Sequence, residues 1–208
     1  MSTAPSLLEP LGTLPRARVD DDGAATRPGA LHDGLTLRAL TVEDREALVR
    51  TVARCSSDTR YARFHTAVPV LTPGWARAMC QPAGKRVAVG VVVESAGHRL
   101  ADEPGVSLGS PCGDEIVALA QVEPEVDGSA ELAVLVEDAY HRTGLGAMLV
   151  RAALTEAARN GLRSVRAHVL PDNDAIRQLL LSLDLPVKRG YDDGKICWTI
   201  EIAGLVAA

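Results

Sequence analysis

Aromatic side chains are scarce in this 208-residue chain, with one Phe, three Tyr and two Trp. So few rings make a base-stacking platform improbable. The net charge is -5 and the arginines are dispersed, which argues against nucleic acid as a main partner. No apolar run is long enough to span a bilayer, so no membrane partner is expected. The opening residues MSTAPSLLEPLG lack a basic start followed by a long apolar stretch and do not read as an export signal. The cysteines Cys55, Cys80, Cys112 and Cys197 are widely separated, and no C-x-x-C pair exists. That argues against a zinc ribbon or redox motif and fits reduced, mostly buried thiols in the cytoplasm. The histidines His32, His65, His98, His141 and His168 show neither H-x-x-x-H nor H-E-x-x-H spacing, and no metal is expected.

What remains is the pattern of a single sizeable domain. Residues 1–34 carry Pro, Gly, Asp and Ala with little periodicity and read as a flexible N-terminal arm. Leu35–Ala39 reads as a strand, and T-V-E-D from Thr41 caps a helix striped by Leu48, Val49 and Val52. Ser56–His65 reads as a second short helix, opened by Ser57 or Asp58, and Thr72-Pro73 starts a third carrying Trp75, Ala78 and Met79. Val87–Glu94 is a β-branched strand, and Ser95–Asp114 is a loop insertion. Glu115–Val122 is a strand, joined by a turn over Glu123–Gly128 to the strand of Glu131. Later come a helix over Ala147–Asn160, a strand over Ser164–Leu170, a helix over Asp174–Leu183 and a strand over Lys195–Ile202, with a tail over 203–208. Hairpin links make the middle strands antiparallel, and the strand–helix–strand step makes a parallel crossover. The fold class is mixed α/β, with a mostly antiparallel sheet flanked by helices.

The most informative stretch is Ala130–Ala147, AELAVLVEDAYHRTGLGA. It reads as strand, glycine loop, helix. Such a loop aims backbone N–H groups at the helix N-terminus, where the dipole favours negative charge, so a phosphate is the natural guest. It is not a dinucleotide fingerprint, because Leu149 stands where G-x-G-x-x-G needs its third glycine. Nor is it a Walker loop, since no Gly-Lys-Ser/Thr follows. Taken alone, Gly144 and Gly146 are equally compatible with plain turn residues. Glu131 places a carboxylate on the strand just upstream; it can serve as a base, or be a solvated strand-end acid.

The order of elements and these residues resemble the GNAT superfamily of acetyl-CoA-dependent N-acetyltransferases. The family signature, Arg/Gln-x-x-Gly-x-Gly/Ala at a strand-to-helix loop, is met by His141-Arg142-Thr143-Gly144-Leu145-Gly146, with His141 in place of the usual first residue. The resemblance implies that the amides from Arg142 to Ala147 hold a pyrophosphate. It also implies that pantetheine pairs with the backbone near Leu135 and Val136, and that Asn173, in L-P-D-N after the next strand, contributes to the cofactor site. A Tyr that often protonates the leaving thiolate is absent, and Leu180 stands in its position. The helix end Leu183-Asp184-Leu185 lacks the family's Gly-Phe-like pair.

Within the family, SSDTRYARFH is similar to a segment of the Pat-like bacterial protein lysine acetyltransferases. That similarity implies a protein lysine acceptor, an acceptor wall including Arg60 and His65, and Glu131 as general base. The base is needed because a lysine ammonium, with a reference pKa of about 10.4, must lose a proton before it can attack a thioester. Glu123 and Glu137 are weaker candidates. The same segment is equally readable as a structural helix with Tyr61 and Phe64 facing the core. A small-amine acetyltransferase and a non-catalytic CoA-binding module are the alternative functions, and a homodimer stays open.

Overall fold

The computed structural model describes residues 35–67, 70–81, 84–93, 114–125, 129–192 and 195–206. The arm expected over 1–34, the loop expected over 95–114 apart from Asp114, and positions 126–128 of the expected turn lie outside them.

In chain order the elements are β1 (Leu35–Ala39), α1 (Arg45–Arg54), α2 (Ser57–Phe64), α3 (Pro73–Cys80), β2 (Val87–Val93), β3 (Glu115–Pro124), β4 (Ala130–Val136), α4 (Leu145–Arg159), β5 (Ser164–Val169), α5 (Asp174–Leu181), β6 (Val187–Asp192) and β7 (Lys195–Glu201). They build one seven-stranded sheet in the order β1-β2-β3-β4-β5-β7-β6. Neighbours are antiparallel except β4 and β5, which run parallel across the α4 crossover. The expected architecture of a mixed, mostly antiparallel sheet with flanking helices is therefore the observed one.

Strand alternation sorts the core into two clusters. On one face Ala130 and Leu132 of β4, Val165, Ala167 and Val169 of β5, and Trp198 and Ile200 of β7 pack beneath α4 and α5. On the other, Leu119 and Leu135 meet Leu48 and Val52 of α1 and Ala76 and Met79 of α3. The tail expected over 203–208 begins as a 3-10 turn, Ala203–Val206, whose Leu205 packs on the first cluster.

Three departures from the sequence reading have local causes. β6 was not expected: its residues are half-buried or exposed, so an edge strand paired only with β7 carries no hydrophobic alternation to read. In α3, Thr72 caps the helix and Pro73 begins it, and the buried stripe falls on Ala76, Met79 and Cys80. Trp75 is instead exposed and lies 5.0 Å from the Phe64 ring. In α2, Ser56 rather than Ser57 or Asp58 is the cap, and Tyr61 points to solvent.

Cys55, Cys80 and Cys197 are buried and unpaired. Burial pushes the Cys55 thiol up to about 11 and the Cys80 thiol up to about 12, and it raises that of Cys197.

One polar tie joins α2 to the loop after β4. Asp138, in a 3-10 turn (Asp138–Tyr140), accepts from the Ser56 N–H at 2.8 Å, the Ser56 hydroxyl at 2.7 Å and the Thr59 hydroxyl at 2.8 Å. Burial works against the charged form, but these hydrogen bonds outweigh it and hold the carboxyl down at about 2. A carboxylate depressed in the folded state adds stability above its unfolded pKa, and that stability is lost as pH falls through the folded value. Asp138→Asn is therefore expected to lower Tm at pH 7. The difference from wild type should shrink as pH drops from about 4 toward about 2, and thermal unfolding across that range checks it.

Candidate functional site

β4 runs through the Asp138–Tyr140 turn into His141-Arg142-Thr143-Gly144 and then α4. Arg142 at φ 61° and Gly144 at φ 85° are both left-handed, and such residues turn neighbouring N–H groups toward one concave side. Ser56, Thr72 and Asn173 cap α2, α3 and α5 with their side chains, whereas no side chain caps α4. The first N–H groups of α4, at Leu145, Gly146 and Ala147, thus sit at the positive end of the helix dipole without a side-chain acceptor. A Cβ built at Gly144 would meet nothing within 4 Å, so the protein leaves this side open. At Gly146 it would come 2.9 Å from Leu179 Cδ1, so the second glycine lets α4 close on α5.

Beside this loop the sheet splits. β4 and β5 are in register at one position only, Glu131 opposite Arg166. The ladder between β3 and β4 fixes which backbone groups the split leaves over. Glu137 N–H donates to Val117 at 2.9 Å, and Val136 stands opposite Ala118. Antiparallel alternation then spends the backbone of Glu131, Ala133 and Leu135 on β3 and turns that of Leu132, Val134 and Val136 toward β5. Of the two positions expected to pair with an extended ligand, Val136 faces the split and Leu135 does not. The Val136 carbonyl is met there by the His141 imidazole, with Nε2 at 2.9 Å.

The floor of the site lies on the sheet face opposite α4. Glu131 is partly exposed, and its Oε1 lies 3.1 Å from Nδ1 of His168 on β5. The Nε2 of His168 lies 3.5 Å from Asp192 on β6. Asp192 in turn meets Arg166 at 3.3 Å, and Arg166 also binds Glu125. His168, Asp192 and Cys197 bring three polar atoms within 4.8 Å of one another. With Arg166 on Asp192 and burial holding the Cys197 thiol protonated, these are the features of an ion-pair cluster.

The other two glutamates weighed as bases are differently placed. Glu137 is gripped by Arg54, with Nε and Nη2 each at 3.0 Å, and Glu123 is bound by Arg86.

The end of α2 overhangs this floor. Arg63 is half-buried, donates to Gln121 Oε1 at 2.6 Å, and keeps a buried Nε without a partner. Burial pulls its pKa down to about 10, with the charge of Glu131 opposing. His65, left-handed at φ 54°, ends the helix. Burial first, then Lys195, lowers its pKa, while Glu131 pulls it the other way. His65 thus lies within electrostatic reach of Glu131. Arg60 does not come to the floor: its guanidinium donates to the Cys55 carbonyl inside the α1–α2 corner. Asn173 spends Oδ1 on the Ile176 N–H at the start of α5, and Leu180 is buried in the core.

His168 and Asp192 were not among the expected site residues. Alternation in Ser164–Val169 carried the first, since the apolar positions 165, 167 and 169 leave Arg166 and His168 on the opposite face. The turn-forming dipeptide Asp193-Gly194, two residues that separate Asp192 from its partner Lys195, carried the second.

Residues 87–183, from β2 to just past α5, match the model of the acetyltransferase (GNAT) family. An acetyltransferase of Pseudomonas aeruginosa is 29% identical over 167 residues, which is 79% of this chain and 82% of that protein. The GNAT domain of S. lividans PAT superposes with a TM-score of 0.63 at 23% identity, covering 79% of this chain and 89% of that one. The yncA protein of Salmonella typhimurium, solved with its cofactor acetyl-CoA, superposes with a TM-score of 0.53 at 19% identity, covering 81% and 94%. At these identities the structural likenesses speak for the fold alone. The family match runs through the strand, glycine loop and helix of the site, so residues 87–183 of this chain are those that resemble the GNAT acetyltransferase family.

Proposed function

We propose that this protein transfers an acetyl group from acetyl-CoA to the side-chain amine of a protein lysine, with Glu131 as general base. The observation that carries the reading is the placement of two unlike features on one opening. The uncapped start of α4 suits a pyrophosphate, and the unpaired edge of β4 leads from it to the Glu131 carboxylate. An acyl donor lying along that edge would find backbone groups of Val134 and Val136 to pair with, in the manner of an added strand. N–H groups on the same edge suit the thioester oxygen as negative charge builds on it. The amine attacks the carbonyl carbon directly, and Glu131 draws off the proton that the nitrogen must lose. No covalent enzyme intermediate is required, since the buried, protonated thiols of Cys55, Cys80 and Cys197 make poor nucleophiles.

The lysine acceptor is supported by the Pat-like pattern in Ser56–His65 and by the position of that segment. Its C-terminal end, Arg63 and His65, overhangs the floor on which Glu131 lies.

Three outcomes test the reading. Gly144→Val puts a β-branched side chain at a left-handed position and into the space a phosphate would use. It should weaken acetyl-CoA binding roughly tenfold or more by calorimetry, in a variant that still unfolds cooperatively. Unchanged affinity would remove the phosphate cradle from the proposal. Glu131→Gln keeps shape and removes the proton acceptor. Turnover at pH 7 should fall by about a hundredfold with little change in acetyl-CoA affinity, and the deficit should narrow at high pH, where free amine is abundant. In a thiol-release assay, lysine-bearing proteins and peptides should be acetylated faster than polyamines, amino-acid derivatives or aminoglycosides. His65→Ala should raise KM for the lysine acceptor alone. Preference for a small amine would overturn the acceptor half of the proposal and leave the cofactor half standing.

A further inference from the structure

The two ring nitrogens of His168 face two carboxylates. Nδ1 lies 3.1 Å from Glu131 Oε1, and Nε2 lies 3.5 Å from Asp192 Oδ2. A neutral imidazole has one N–H and would turn a lone pair on one of these anions; only the imidazolium offers a proton to both. The three groups stand on one sheet face, on β4, β5 and β6, with β7 between the last two. Exposure grades across them. The His168 side chain is 15% exposed, and those of Glu131 and Asp192 are 42% and 44%. The imidazole is thus the covered link between two carboxylates that both reach solvent.

We propose that His168 is a positioning residue for Glu131: held as an imidazolium between Glu131 and Asp192, it fixes one Glu131 oxygen, leaves the other for the acceptor amine, and sheds its Nε2 proton to Asp192 as Glu131 gains a proton from the amine. The inference rests on Glu131 acting as the base.

In the acyl-transfer step the acceptor nitrogen bonds to the acetyl carbonyl carbon. The carbon–sulfur bond breaks, and its electron pair leaves on the CoA sulfur. The proton lost by the nitrogen goes to Glu131. The Nε2 proton goes to Asp192 and from that edge strand to water. One proton enters the Glu131–His168 pair and one leaves, so the pair is neutral before and after. Holding the charge constant matters where water is partly excluded, because a change in net charge is penalised there. Afterwards Glu131 releases its proton to water and His168 takes one back, so the net result is one proton passed from the amine to solvent.

Other charged or titratable groups surround His168. Arg166 shares its strand and binds Asp192, Cys197 stands directly across on β7, and Lys195 begins that strand. His65 and Arg63 approach from the end of α2, where His65 interacts electrostatically with His168 and Arg63 with Glu131. Of these, Arg166 is the one paired with Asp192, and its charge stabilises the Asp192 carboxylate and so limits how long that acid keeps a proton before passing it to water.

The test uses His168→Asn and Asp192→Asn in the full chain, with kcat and KM followed against pH. An asparagine amide can donate to Glu131 where Nδ1 did, but it cannot titrate. His168→Asn should lower kcat by about tenfold or more, keep KM for acetyl-CoA within about twofold, and move the acid limb of kcat/KM to higher pH. Asp192→Asn should cause a smaller loss in the same direction. The double variant should be no worse than His168→Asn alone, within about twofold, because both act through one proton path. A His168→Asn enzyme with wild-type kcat and an unmoved limb would overturn the inference, and so would losses that multiply in the double variant. Should His168→Asn fail to fold, Asp192→Asn on the edge strand carries the test, and wild-type kcat with an unmoved limb there overturns it. Glu131→Gln assayed alongside separates the two layers. Its collapse beside a wild-type His168→Asn removes the proton path and keeps the base; its survival removes the base itself.

Discussion

The site depends on a ladder that the sheet leaves unmade. β4 and β5 run parallel and meet at Glu131 and Arg166 alone, so beyond that pair the backbone groups of Val134 and Val136 point at no strand. Unpaired backbone groups need a partner or water. The crossover helix α4 begins at the end of β4, so its own unpaired N–H groups stand by the same gap. A phosphorylated, extended ligand of the kind proposed would complement both at once. The His141 imidazole meets the Val136 carbonyl on that edge.

Around the gap, ion pairing distinguishes otherwise similar acids. Glu123 and Glu131 face each other across β3 and β4, and Glu137 follows the end of β4. Arginines hold Glu123 and Glu137. Glu131 instead meets the imidazole of His168. The arginines thus tie two of the three carboxylates into ion pairs, and the third has a different partner.

Much of this was legible in the chain. The glycine loop, the strand before it and the helix after it follow from local spacing, and local spacing also gives the parallel crossover. What was not legible came from pairing at a distance. β6 has no hydrophobic pattern because it lies on the sheet edge, and Asp192 was lost with it. His168 lies on a strand that was recognised, but its partners Glu131 and Asp192 are 37 and 24 residues away in sequence, beyond any motif. Arg60 shows the opposite failure. The motif around it was readable, but a backbone carbonyl one turn earlier takes its guanidinium. Trp75, the largest side chain of α3, lies outside its buried stripe of Ala76, Met79 and Cys80, which the sequence did not announce.

The buried thiols have a practical side. A thiol must ionise to react with a disulfide or maleimide reagent, and burial both shields Cys55, Cys80 and Cys197 from such reagents and raises their pKa. The sulfur that this acetyltransferase liberates belongs to CoA and emerges into water. A colorimetric reagent added to a working reaction would therefore count turnovers with little background from those three residues.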